Sequence, residues 1–213
     1  MIDKALIAKR HVSLLILTRA VAANSAEFHM LPSNGVRVHK RLRGESAMNE
    51  EAAKGLLDFS DPYTLNMQVQ PHDIDGLHHT NNGVYVDWCQ KVAWAHSVSL
   101  GLDLERYRAL DRAMVIIRSE FDYLQSSREG EEVLLATWIT EWDEKITMRR
   151  AFQVIRPEDG ATLLRARMNF ACIEISSGKP RRMPTEFIDG YGPAVLGGAV
   201  ALDDATGVAD ATE

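Results

Sequence analysis

One segment constrains the fold of this chain more than any other: residues 82–100, which read as a single long helix apolar on most of its sides. Tyr85, Trp88, Cys89, Val92 and Ala95 recur at spacings of three and four, while Val86, Ala93, Trp94 and Val98 make much of the opposite side apolar too. Such a helix must be buried or wrapped. The flanking pattern says by what. Before it, Leu65, Met67 and Val69 alternate with Asn66, Gln68 and Gln70, as in a half-buried strand. After a short helical stretch at residues 102–110, four more alternating runs follow. Their shared faces read as Val115, Ile117, Phe121 and Tyr123; Leu134, Ala136, Trp138 and Trp142; Ile146, Met148, Phe152 and Val154; and Leu164, Ala166, Met168, Phe170 and Cys172.

Trp142-Asp143-Glu144-Lys145 and Pro157-Glu158-Asp159-Gly160 are short turn signals, so these strands pair as antiparallel hairpins. The expected architecture is a two-layer α+β domain with a five-stranded antiparallel sheet wrapped around one long central helix. Five strands leave open edges, and pairing with further copies covers them, which predicts a homodimer or homotetramer.

Composition narrows the class. The 213 residues are 46% hydrophobic and 25% charged, with a net charge of -6. That acidic balance excludes a nucleic-acid partner, which demands a basic surface. No apolar run is long enough to span a membrane. Cys89 and Cys172 sit in apolar patterns without C-x-x-C spacing, and read as reduced core residues of a cytoplasmic protein. Residues 1–60 show no sustained period and read as a disordered extension, with Met48 as an alternative start. Residues 61–190 form the domain, and the Gly- and Ala-rich residues 191–213 a loose tail.

Chemistry gathers between the first strand and the helix, in His72-Asp73-Ile74-Asp75-Gly76-Leu77-His78-His79-Thr80-Asn81-Asn82-Gly83-Val84-Tyr85. A loop at a helix start presents unpaired N–H groups and a partial positive charge. A carboxylate beside such donors can attack a carbonyl while the N–H groups hold the oxyanion. Asn82 and Gly83 supply those donors on this reading, and Asn81 caps the helix. The histidines and aspartates are also metal-ligand types, but their spacing matches no metal motif, so neither a metal nor another cofactor is expected.

Asp73, Asp75, His79, Asn81 and Tyr85 fill the pattern Asp-x-Asp-x-x-x-His-x-Asn-x-x-x-Tyr. With Arg118-Ser119-Glu120-Phe121-Asp122-Tyr123-Leu124 and Ser177-Gly178-Lys179-Pro180-Arg181-Arg182-Met183-Pro184, residues 63–188 resemble the hotdog-fold acyl-CoA thioesterases of the 4-hydroxybenzoyl-CoA thioesterase-like family. The resemblance implies an acyl-CoA substrate. It implies Asp75 as nucleophile or general base, and Asn82 as the position whose backbone N–H faces the thioester oxygen. Many relatives carry histidine at that position. His79 matches the histidine of a His-x-Asn-Asn subgroup.

Asn81, Gly83, Tyr85 and Trp88 would line the substrate site. Arg128 and Arg149, with Arg150, Arg181 and Arg182, are candidates for the coenzyme's phosphates. Trp138 and Trp142, on one strand face, would favour an aromatic or trimethylammonium acyl group if they joined Trp88 or Trp94 at the pocket. An acyl-carrier-protein thioesterase, or a non-catalytic protein that binds acyl-CoA, are the competing readings.

Overall fold

The structure, a computed structural model, describes residues 55–196. Met48 and most of the expected extension and tail lie outside the described residues. The elements run β1 (Tyr63–Gln68), a 3-10 turn (Pro71–Asp73), α1 (Asn82–Ser99), α2 (Leu104–Leu110), β2 (Arg112–Tyr123), β3 (Glu132–Trp142), β4 (Thr147–Arg156), β5 (Ala161–Glu174), α3 (Thr185–Tyr191) and a second 3-10 turn (Gly192–Ala194). The strands form one sheet in the order β1-β3-β4-β5-β2. Every pairing is antiparallel. This is the five-stranded hotdog arrangement that the sequence implied.

Local chemistry sets the helix ends. Asn81 caps α1, its Oδ1 accepting the Gly83 N–H at 2.8 Å, and Asp103 caps α2 through the Arg106 N–H at 2.8 Å. Gly101, with φ of 78°, turns the chain after α1 in the left-handed region.

The sheet packs against one side of the helix. Tyr85, Trp88, Cys89, Val92, Ala93, His96 and Ser97 are buried, and the helix meets β3 and β1. Asp87, Gln90, Lys91 and Val98 are exposed, and Val86, Trp94 and Ala95 are half-buried. A five-stranded layer reaches only one stripe of a helix, so the second apolar side is covered in part.

Two bulges rearrange the expected faces. The register shifts between Ile116 and Arg118, leaving Ile117 unpaired and 59% exposed. Beyond that point Phe121 faces the helix, on the side that Met114 and Ile116 take before it, and Val115 faces the other way. A second shift lies between Ile139 and Glu141. Trp142 therefore joins the main core, while Trp138 points to the outer sheet face. The two tryptophans do not share a face, because one extra residue reverses the period of two. The joint pocket expected of them is not formed. β4 and β5 bring Met148, Phe152, Val154, Leu164, Ala166, Met168, Phe170 and Cys172 into the core as expected, and a register shift opposite Val154 and Ile155 places Leu163 there as well.

The ordered domain is longer than residues 61–190. Residues 55–60 lie on the outer face. Phe59 meets Trp138 edge-on at 5.4 Å, and Trp138 Nε1 donates to the Ser60 carbonyl at 2.9 Å. Asp58 accepts from Arg165 at 2.6 and 2.8 Å. At the other end Tyr191 is fully buried, and the Leu196 N–H donates to the Ile139 carbonyl at 2.9 Å. Gly192 lies so close to the Trp142 ring that a Cβ would meet it at 3.3 Å. Cys89 and Cys172 are free and buried. Among the described residues no helix is long and apolar enough to cross a membrane.

One buried cation organises the far end of the helix. Arg150 is fully buried, and its Nη1 donates to His96 Nδ1 at 3.0 Å and its Nη2 to Ser97 Oγ at 3.3 Å. Its guanidinium carbon lies 5.7 Å from the centre of the Tyr191 ring. Tyr191 donates to Ser97 Oγ at 3.0 Å and meets the Tyr107 hydroxyl at 2.5 Å. Burial and then the adjacent guanidinium pull the His96 pKa down from 6.5 to about 4. The unfolded chain therefore takes up this proton first as pH falls. The stability linked to His96 is complete above about pH 6.5 and is lost down to about pH 4. Urea unfolding should show a loss on the order of 1–3 kcal/mol across that window. In His96→Asn, whose side-chain oxygen can still accept from Arg150, the same window should be flatter.

Candidate active site

The motif loop is sewn to its surroundings at both ends. The Val69 N–H donates to the Glu131 carbonyl and the Gly130 N–H to the Val69 carbonyl, both at 2.9 Å. Asp73 is buried and holds the 3-10 turn, its Oδ2 accepting the Gln70 N–H at 2.9 Å. Its carbonyl accepts the Asn81 N–H at 2.9 Å, which draws the two ends of the loop together. Asp73 is scaffold, and His72 lies outside it, 3.5 Å from its carboxylate.

Between these ends Ile74 and Thr80 form an antiparallel bridge, and Asp75 opens a tight turn. The Asp75 N–H donates to the His79 carbonyl at 2.8 Å, and the His78 N–H to the Asp75 carbonyl at 3.1 Å. His78 takes φ of 61°, the left-handed conformation that closes the turn. Leu77 is the tip, 77% exposed. The half-buried Asp75 carboxylate is oriented by this turn. Its Oδ1 accepts the Leu77 N–H at 2.8 Å and the His79 N–H at 3.4 Å. Its Oδ2 has no partner among the described residues. His79 supports Asp75 through its backbone, and among the described residues no hydrogen bond joins its imidazole to that carboxylate.

The helix start differs from expectation in one respect. The Gly83 N–H already donates to Asn81 Oδ1, so it is not free to hold an oxyanion. A Cβ at Gly83 would meet that same oxygen at 3.2 Å, which fits glycine there. Cap and oxyanion compete for the same few N–H groups, and the cap takes this one. The exposed Asn82 is left with an N–H that has no partner among the described residues.

Tyr85 is an anchor. Its hydroxyl meets Ser127 Oγ at 2.8 Å and accepts the Ser127 N–H at 3.1 Å. Ser127 Oγ also meets Thr80 Oγ1 at 2.7 Å, and the Ser127 carbonyl accepts the Thr80 N–H at 2.9 Å. Ser127 is fully buried, and nothing in the polar run Gln125-Ser126-Ser127 distinguishes it in the sequence. Tyr123, at the end of β2, donates to the Asn82 carbonyl at 3.2 Å. Trp88 lies wholly inside the core.

The basic candidates scatter. Arg128 is exposed, next to Ser127 and so on the connection that holds the motif loop. Arg149 is not brought to that loop. It lies on the outer sheet face, paired with Glu141 at 2.7 Å and Asn169 at 3.0 Å. There it helps line a polar basin of about 450 Å³ with Arg118, Glu120 and Arg167. The motif loop leaves from the β1 end that pairs with Glu132 at the start of β3, whereas Glu141 stands near the end of β3. Arg150 belongs to the buried hub, and Arg181 pairs with Glu174 at 3.3 Å. Arg182 is exposed. The described residues gather no group of three or more His, Cys, Asp and Glu suited to a metal ion.

The family model of the thioesterase-like superfamily matches residues 69–190. Protein THEM6 of Danio rerio is 38% identical over 78 residues, 37% of this chain and 38% of that protein, so the chain spans under two fifths of this curated relative. Among solved structures, a 1,4-dihydroxy-2-naphthoyl-CoA thioesterase from Synechocystis is 20% identical with a TM-score of 0.55, covering 60% of this chain and 93% of its own. A Staphylococcus aureus protein solved in complex with CoA is 18% identical with a TM-score of 0.58, covering 72% and 96%. The 12:0-ACP thioesterase of Umbellularia californica is 17% identical with a TM-score of 0.57, covering 71% and 60%. At these identities the likeness to the solved structures is one of fold.

Removing the Ser127 hydroxyl should loosen loop, helix and connection together. Ser127→Ala leaves the buried hydroxyls of Thr80 and Tyr85 short of a partner. Urea unfolding should show a loss of about 1–3 kcal/mol with little change in slope.

Proposed function

The chain belongs to the thioesterase-like superfamily, a family of thioester hydrolases. From that premise we propose that it hydrolyses acyl-CoA to the free acid and CoA, with Asp75 as the reacting carboxylate. One observation carries the reading. The turn at the head of α1 fixes Asp75 Oδ1 with two backbone N–H groups and leaves Oδ2 without a partner, next to a helix start. A CoA-bound fold relative and a naphthoyl-CoA thioesterase of the same fold support CoA as the carrier.

Asp75 takes a proton from water and the hydroxide adds to the thioester carbon, or the carboxylate adds directly and water cleaves the resulting anhydride. In either form negative charge grows on the carbonyl oxygen. The Asn82 N–H, at the positive end of the helix, stabilises it. Collapse expels the CoA thiolate, which takes up the proton held by Asp75 in the first form, or that released by the water cleaving the anhydride in the second. His79 positions Asp75 through the main chain. On this reading the exposed Arg128, next to Ser127, meets a coenzyme phosphate. Further copies of the chain pair along the sheet edge at β2, where Ile117 is exposed, as a dimer or tetramer. The two free thiols fit a reducing, cytoplasmic setting.

Thiol release from an acyl-CoA panel tests the reaction. Asp75→Asn should lower kcat/KM by about 10²–10⁴-fold. Equal release by wild type and variant across the panel would falsify the assignment, and tight acyl-CoA binding without turnover by wild type would replace it with a binding role. Arg128→Ala should raise KM several-fold at unchanged kcat, more so at low salt.

A further inference from the structure

Three aromatic rings lead from the helix start into the core. Tyr123 donates to the Asn82 carbonyl, and its ring meets that of Tyr85 edge-on at 5.9 Å. Tyr85 meets Trp88 in the same manner at 5.0 Å. Trp88 is the inner end of this row, six positions past Asn82 and so about 9 Å along the helix axis. It differs from its neighbours in one respect. Thr80, Ser127 and Tyr85 are buried with their polar atoms paired. Trp88 Nε1 is buried and has no acceptor among the described residues. The other such atom, Arg112 Nε, belongs to a guanidinium that donates elsewhere through Nη1. A buried donor without an acceptor costs about 1–3 kcal/mol, and native cores rarely keep one without use.

Resting on the thioesterase reading above, we propose that Trp88 is a specificity-determining residue. Its indole N–H receives a hydrogen-bond acceptor carried by the acyl group, such as a keto or hydroxyl oxygen, at a depth set by the six helix positions between Asn82 and Trp88. The acyl chain runs from the Asp75 turn along the inner stripe of α1. Tyr123, 43% exposed, is the ring that swings aside to admit it. The preferred substrate class is then an oxygenated acyl-CoA of medium length. A purely aliphatic chain of the same length leaves the N–H unpaired and is turned over less well.

The test compares octanoyl-CoA with an octanoyl-CoA that bears a keto group near its far end. Wild type should favour the keto substrate by about five- to ten-fold in kcat/KM, and Trp88→Phe should bring that ratio close to one. A second readout uses wild type alone, in case the variant folds poorly. The chain has four tryptophans. The indole N–H resonance of Trp88 should move downfield with the free keto acid and not with octanoic acid. Equal hydrolysis of both substrates by wild type, silenced for both by Asp75→Asn, overturns the Trp88 proposal and keeps the thioesterase. So does an indole signal that neither acid moves, as for an N–H directed at the Tyr85 ring. Thiol release that is indifferent to Asp75→Asn removes the thioesterase reading itself.

Discussion

Ser127 is the point through which the motif loop, the long helix and the β2–β3 connection share one set of hydrogen bonds. Its hydroxyl touches Thr80 and Tyr85, and its main chain binds both as well. Thr80 ends the small bridge that carries the Asp75 turn, and Tyr85 sits one turn into α1. The position of the carboxylate relative to the helix start is therefore fixed by a buried junction of hydroxyls. In a low-dielectric interior such a junction is rigid when every member is satisfied, and each member here is. A loop whose tip is as exposed as Leu77 can still hold a side chain in place because its base is anchored in this way.

The sequence made parts of this legible and hid others for physical reasons. Along β4, and along β5 beyond Leu163, the period of two holds over most of the length, so most of their core residues could be read directly. Strands β2 and β3 each carry an extra residue, at Ile117 and Thr140, and composition does not mark either bulge. Everything beyond the bulge then reads onto the wrong face, as with Trp142. Asn81 as cap and Asp73 as scaffold followed from residue type and position. The occupied N–H of Gly83 did not follow, because a capping side chain and an oxyanion want the same donors and spacing cannot say which prevails. Arg149 illustrates a further limit, since a cation near a strand end can face either side of a sheet.

Arg149 and Arg150 show how sharply that choice matters. They are consecutive, and the pleat sends them to opposite faces. One joins an open polar basin with carboxylates nearby. The other is sealed beside an imidazole, a serine and two tyrosines, with no carboxylate among its polar contacts with the described residues. Its donors reach side chains in the last turns of α1, where the helix carbonyls carry partial negative charge. The guanidinium thus ties β4, α1 and α3 together with dipoles in place of a counter-ion.

The contacts at residues 55–60 and 191–196 separate two lengths that are easily taken for one. Likeness to the family runs over residues 69–190. A chain trimmed to those limits would keep every motif residue. It would also strip the Trp138 indole of its acceptor and Arg165 of its carboxylate, and take from the buried guanidinium the ring laid over it. What is recognisable in this domain and what packs together have different ends, and the second is the longer.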